Sequence, residues 1–119
     1  MKGSCHCGAV AFEVSEPPTE LTECNCSLCR RLGGRWAYYL PDQLRILRGA
    51  DSLVPYVQGD RILAMHHCRT CGCSTHWVGL PGTEVAPDGE NPRVCINARL
   101  LEDFDLDSVP IRKVDGASF

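Results

Sequence analysis

Cysteine placement constrains this chain more than any other feature. Seven of its nine cysteines fall in three short clusters, Cys5-His6-Cys7-Gly8, Cys24-Asn25-Cys26-Ser27-Leu28-Cys29 and Cys68-Arg69-Thr70-Cys71-Gly72. Cysteines one or two residues apart on a tight turn can aim two sulfurs at one ion, with Zn–S distances of about 2.3 Å, whereas so short a separation strains a disulfide within the pair. Glycine directly after Cys7 and after Cys71 lets the backbone turn left-handed, which points amide N–H groups back at the sulfurs. A disulfide framework is the alternative. The odd cysteine count and the lack of a signal-like segment ahead of the first cluster weigh against it.

The remaining composition fits one domain spanning residues 1–119, without a low-complexity stretch and without an apolar run long enough to cross a membrane. Reduced, metal-binding cysteines imply a cytoplasmic setting. The formal net charge is −3, and seven thiolates holding two zinc ions would take it to about −6. Such a chain is a poor partner for nucleic acid and carries no membrane signature. Arg30, Arg31 and Arg35 do cluster, either as a solvated face or as a site for a small anion.

Short alternating segments rich in β-branched and aromatic residues, punctuated by Gly and Pro, predict an all-β fold of small sheets. Strands are expected at Val10–Val14, Trp36–Leu40, Leu44–Arg48, Ser52–Val57, Ile62–His67, Thr75–Val78 and Arg93–Leu100. Turns are expected at Pro17-Pro18, Gly33-Gly34, Pro41-Asp42 and Gln58-Gly59-Asp60, with a long loop over Gly79–Pro92 and one helical turn after Cys26. Trp36, Tyr38 and Trp77 read as core.

Ligand parity suggests the metal pairing. The two Gly-terminated turns, Cys5/Cys7 and Cys68/Cys71, make a closed four-thiolate set of structural type, tying the N-terminal strand to the later half of the chain. Cys24, Cys26 and Cys29 then supply three ligands, which leaves one position for water, substrate or a fourth side chain. Cys73, His66, His67 or His76 could fill it and make that site structural as well. Zinc held by three thiolates is a weak Lewis acid, and its natural use is to hold a substrate thiol as thiolate for transfer of a small electrophilic carbon.

The runs Gly-Ser-Cys-His-Cys-Gly-Ala-Val-Ala-Phe (Gly3–Phe12), Cys-Asn-Cys-Ser-Leu-Cys-Arg-Arg (Cys24–Arg31) and Cys-Arg-Thr-Cys-Gly (Cys68–Gly72) resemble the glutathione-dependent formaldehyde-activating enzyme family, which also includes centromere protein V. The resemblance implies a zinc-stapled β-tent of small antiparallel sheets. It implies a structural zinc on Cys5, Cys7, Cys68 and Cys71, and a second, reaction-centre zinc on Cys24, Cys26 and Cys29. It also implies carbon–sulfur lyase activity on a small thiol adduct, with glutathione as co-substrate. Arg30 and Arg35 are then the candidate contacts for the carboxylates of such a thiol. A non-catalytic zinc-binding module is the rival reading, and it requires a closed second site with no adjoining cleft.

Arg93-Val94-Cys95-Ile96-Asn97 is similar to the nucleophile-bearing stretch of B-type methionine sulfoxide reductases. A nucleophilic Cys95 would share a strand face with Asn97 and Arg99; otherwise Cys95 is a small packing residue between Val94 and Ile96. Cys73 has three candidate roles: metal ligand, resolving thiol for Cys95, or packing. His6 lies between two ligands and either faces solvent or shuttles a proton. His66 and His67 occupy opposite strand faces.

Overall fold

The computed structural model describes residues 1–58, 61–80 and 93–118. Ten short strands, one six-residue helix and four short 3₁₀ turns follow one another in these segments. In chain order the strands are β1 (Lys2–Ser4), β2 (Ala11–Val14), β3 (Leu21–Cys24), β4 (Trp36–Tyr39) and β5 (Leu44–Arg48). They continue as β6 (Leu53–Tyr56), β7 (Leu63–Cys68), β8 (Ser74–Gly79), β9 (Val94–Asn97) and β10 (Ile111–Val114), and helix α1 (Ser27–Leu32) joins β3 to β4.

Two sheets result, one in the order β1-β2-β5 and one in the order β10-β3-β4-β9-β8-β7-β6. Every pairing is antiparallel except β3 with β10, which run parallel from Leu21↔Ile111 to Cys24↔Val114. The expectation of antiparallel sheets is corrected at that edge. A parallel partner has to come from a remote segment, and here the chain returns to β3 only after β9.

Seven of the ten strands match the alternation in the sequence, with boundaries within two residues except at β9. There the strand ends at Asn97, and Ala98–Leu100 form a 3₁₀ turn. Arg99 therefore leaves the strand face it was expected to share with Cys95, and its Nε donates to the carbonyl of Gly33 at 2.8 Å. The expected loop over Gly79–Pro92 begins one residue late, because Gly79 closes β8; its residues 81–92, like residues 59–60 of the expected turn, lie outside the described residues.

Period-two alternation sorts the large sheet into two faces, and both are apolar. One carries Ala37, Tyr39, Val94 and Ile96, which pack with Phe12 and Val14 of the small sheet and with Leu21 and Leu101. This inter-sheet layer is the main core. On the other face Tyr38 stands opposite Cys95, Cys95 opposite Trp77, and Trp77 opposite Met65. That row crosses four strands and, among the described residues, has no second sheet over it. Of the aromatic residues expected to be core, Trp36 and Trp77 are buried in a cluster with Met65 and Cys95, whereas Tyr38 is 42% exposed; all three also line a cavity.

Candidate metal centres

The four-cysteine set forms where two turns of different sheets meet. Cys5 and Cys7 lie on the turn between β1 and β2, Cys68 ends β7, and Cys71 lies on the turn to β8. Their sulfurs lie within 4.8 Å of one another. The Sγ atoms of Cys5 and Cys7 are 3.7 Å apart, as are those of Cys7 and Cys68. A tetrahedral ion with Zn–S bonds of about 2.3 Å holds its sulfurs about 3.8 Å apart, so the geometry fits zinc. The glycines act as expected: Gly8 has φ +81° and Gly72 φ +78°.

Amide donors complete the shell. Val10 N–H donates to Cys5 Sγ at 3.3 Å and Thr70 N–H to Cys68 Sγ at 3.4 Å. The backbone N–H groups of Cys7 and then Cys73 pull the Cys71 thiol down to about 5, so a thiolate is available at neutral pH. At Cys7 the Ala9 amide favours ionisation, but desolvation and the crowding of Cys5, Cys68 and Cys71 raise the thiol to about 11. Four sulfurs this close cannot all ionise without a cation, and a divalent ion would supply the missing charge. Cys73 packs in the same cluster, with Cys5, Val10 and Cys68. It serves this end of the molecule, and His6 beside it is exposed.

The second set is built at the end of β3. Cys24 is the last residue of that strand, Cys26 is the N-cap of α1, and Cys29 lies in the helix one turn on. Cys26 Sγ accepts the N–H of Cys29 at 3.3 Å, the bond a helix-capping oxygen usually makes. Cys24 Sγ accepts the N–H of Cys26 at 3.4 Å. The three sulfurs again lie within 4.8 Å of one another, and among the described residues no fourth His, Cys, Asp or Glu joins them. Burial raises the thiol of Cys29, reinforced by the neighbouring Cys26. At Cys26 burial acts the same way but is outweighed by the amide and thiol of Cys29, which lower it. The donors, their spacing and their amide partners suit a thiophilic dication.

A cavity of about 630 Å³ opens against this second set, with Cys24, Cys26 and Cys29 all in its wall. Trp36 and Tyr38 of β4, Trp77 of β8, and Leu63 and Met65 of β7 form its sheet side. Tyr38 and Trp77 meet edge to face at 5.7 Å. Val114, Gly116 and Ala117 also line the cavity. The C-terminal segment is held there because Asn25, between two of the cysteines, donates to Asp115 Oδ1 at 2.9 Å and accepts from the N–H of Ala117 at 2.9 Å. The four-cysteine set does not touch this cavity.

The arginines fall differently from expectation. Arg35 Nε is paired with Glu23 Oε1 at 2.7 Å, Arg30 is exposed on α1, and neither lines the cavity. Arg112 holds its guanidinium 5.7 Å from the centre of the Tyr38 ring and donates to Thr22 Oγ1 at 3.4 Å, so a cation from β10 braces the cavity wall. No cysteine spacing announced it. Cys95 is fully buried with Trp36, Met65 and Trp77, and burial, then the neighbouring Cys29, pushes its thiol well above the usual range. It packs the wall behind the cavity. His66 and His76 stack on each other at 4.6 Å on the opposite sheet face, away from the three-cysteine set.

Comparison with known proteins agrees with this geometry. The sequence profile of the family described as glutathione-dependent formaldehyde-activating enzyme matches residues 1–96. A Halomonas elongata protein provisionally named for the same activity is 42% identical over 55 residues, which is 45% of this chain and 32% of that protein. The match thus spans about a third of that relative's length. A Rhodobacter sphaeroides protein of known crystal structure superposes with a TM-score of 0.76 at 35% identity, covering 93% of this chain and 99% of that one. Strand β10 and Gly116 lie beyond the profile match, whereas all seven clustered cysteines lie within it. With both cysteine sets assembled and the profile covering each of them, the chain belongs to the glutathione-dependent formaldehyde-activating enzyme family.

Proposed function

We propose that residues 1–119 act as a single zinc-stapled domain that joins a small aldehyde, formaldehyde in the first instance, to a small thiol and releases it again, a carbon–sulfur lyase reaction. The observation that carries this reading is the position of the cavity: it adjoins the three-cysteine set and not the four-cysteine set. A purely structural module has no use for a cleft at an under-ligated metal. Cys5, Cys7, Cys68 and Cys71 hold the structural zinc, and Cys24, Cys26 and Cys29 hold the second. Zinc held there would supply the positive charge that favours deprotonation of a substrate thiol near neutral pH.

The chain's own residues do the rest. Trp36, Trp77, Leu63 and Met65 exclude water from the reacting atoms. A carbon–sulfur bond forms as the carbonyl π bond opens, and the proton lost by the thiol ends on the carbonyl oxygen. Tyr38 is the hydroxyl in the wall suited to that oxygen. Burial raises its phenol, so it remains a proton donor at neutral pH. Glutathione is the thiol that the family's description names. None of the nine cysteines is in a disulfide, in keeping with a reducing cytoplasm. Zinc-loaded protein given ¹³C-formaldehyde and a thiol should accelerate formation of the hydroxymethyl thioether seen by NMR, and Cys26→Ser should abolish the acceleration. An unaccelerated rate with the starting protein would refute the reading.

A further inference from the structure

The lining of the cavity narrows the class of thiol, an inference that rests on the metal–thiol reading above. Among the described residues, no Lys, Arg, His, Asp or Glu lines the cavity. The residues outside the described set, 59–60, 81–92 and 119, contain no Lys, Arg or His, so no cation can be added from them. The side facing the three sulfurs is aromatic and aliphatic: Trp36, Tyr38, Trp77, Leu63 and Met65. The polar side chains in the wall, Thr22, Ser27 and Gln58, are uncharged.

Two guanidiniums beside the cavity are already engaged. Arg112 lies over the Tyr38 ring and bonds the Thr22 hydroxyl, and Arg31, on a shallower groove of about 220 Å³, donates to the carbonyl of Ser27 at 2.8 Å. A tripeptide thiol such as glutathione carries two carboxylates and an ammonium. Seated with its sulfur at Cys24, Cys26 and Cys29, it would desolvate those charges against apolar walls without a partner, which is strongly unfavourable. A thiol with a compact aromatic or branched aliphatic body instead replaces water along the Tyr38–Trp77–Met65 row, where burial of apolar area drives binding.

We infer that the preferred substrate of this site is an uncharged thiol with an apolar body, or its aldehyde adduct, and that glutathione is a poor one. The test is calorimetric titration of the zinc-loaded full chain with phenylmethanethiol and, separately, with glutathione under reducing conditions. Phenylmethanethiol should bind at least about tenfold tighter. Two substitutions should move the preference in opposite directions. Tyr38→Ser, at a half-exposed wall position, should weaken phenylmethanethiol by a larger factor than glutathione. Gln58→Arg, at an exposed wall position, should tighten glutathione alone. Glutathione binding as tightly as phenylmethanethiol or tighter would overturn this inference while leaving the metal–thiol reading intact. Binding of neither thiol to fully zinc-loaded protein would overturn both.

Discussion

A Cβ added at Gly116 would stand 2.5 Å from Cys24 Sγ and 3.2 Å from Cys26 Cβ, so this residue is small because it presses on the three-cysteine set. Gly116→Ala should displace the Cys24 sulfur and lower zinc affinity at that set by about 10–100-fold, measured by chelator competition, with the four-cysteine set unaffected. Nothing in the sequence flagged Gly116; it lies some 90 residues from the cysteines it touches, and only the folded chain joins them. A second residue-scale prediction concerns His76. Burial, with a smaller contribution from His66, lowers its ring from 6.5 to about 4. Below pH 6.5 the unfolded chain gains a proton that the folded chain refuses until about pH 4. Stability should therefore fall as pH falls through that window, by about 3 kcal/mol from this group, and level off beneath it. The His76 ring resonances should stay in the neutral form at pH 5.5, and a midpoint near 6.5 would exclude the buried, stacked placement. Arg35 shows the opposite limit of sequence reading. Its nearness to Cys29 suggested an anion contact, but its guanidinium found Glu23 in β3.

Among the elements, those with clear strand signals were legible and those without them were not. Trp36–Tyr39 and Leu44–Arg48 are runs of strand-forming residues bounded by turn signals, and the structure forms both strands there. Strand β10, Ile-Arg-Lys-Val, carries its two charges in the middle and is half-buried only at its ends, so its pattern is too weak to read alone. It exists because β3 offers an edge to pair with. Strand β1 is three residues long and depends likewise on β2. Alternation also predicted the two faces of the central strands without revealing that one meets a sheet and the other a cavity; that depends on where the second sheet ends. The tail after β10 is latched by Asn25, so Asn25→Ala should release Val114–Ser118 from the cavity wall. Hydrogen exchange there should become several-fold faster while β7, β8 and β9 keep their protection. Unchanged exchange would mean that the β3–β10 pairing alone holds the tail.

For the molecule as a whole, the proposed function divides between the two cysteine sets the labour of holding it together and of doing chemistry. The four-cysteine set joins the β1–β2 turn of the small sheet to the β7–β8 turn of the large one, and two of its sulfurs are buried. The three-cysteine set sits at one end of the large sheet beside the cavity. A structural zinc contributes about 10 kcal/mol or more to folding, comparable to the whole stability of a small domain. Losing the first site should therefore unfold the chain, whereas losing the second should leave the fold standing with an idle cavity. Native mass spectrometry with circular dichroism, applied to the starting protein, Cys68→Ser and Cys26→Ser, tests this division most directly. The account predicts two zinc ions per chain, an unfolded Cys68→Ser, and a folded Cys26→Ser that retains one zinc; a single zinc in the starting protein, or equal unfolding of both variants, would contradict it.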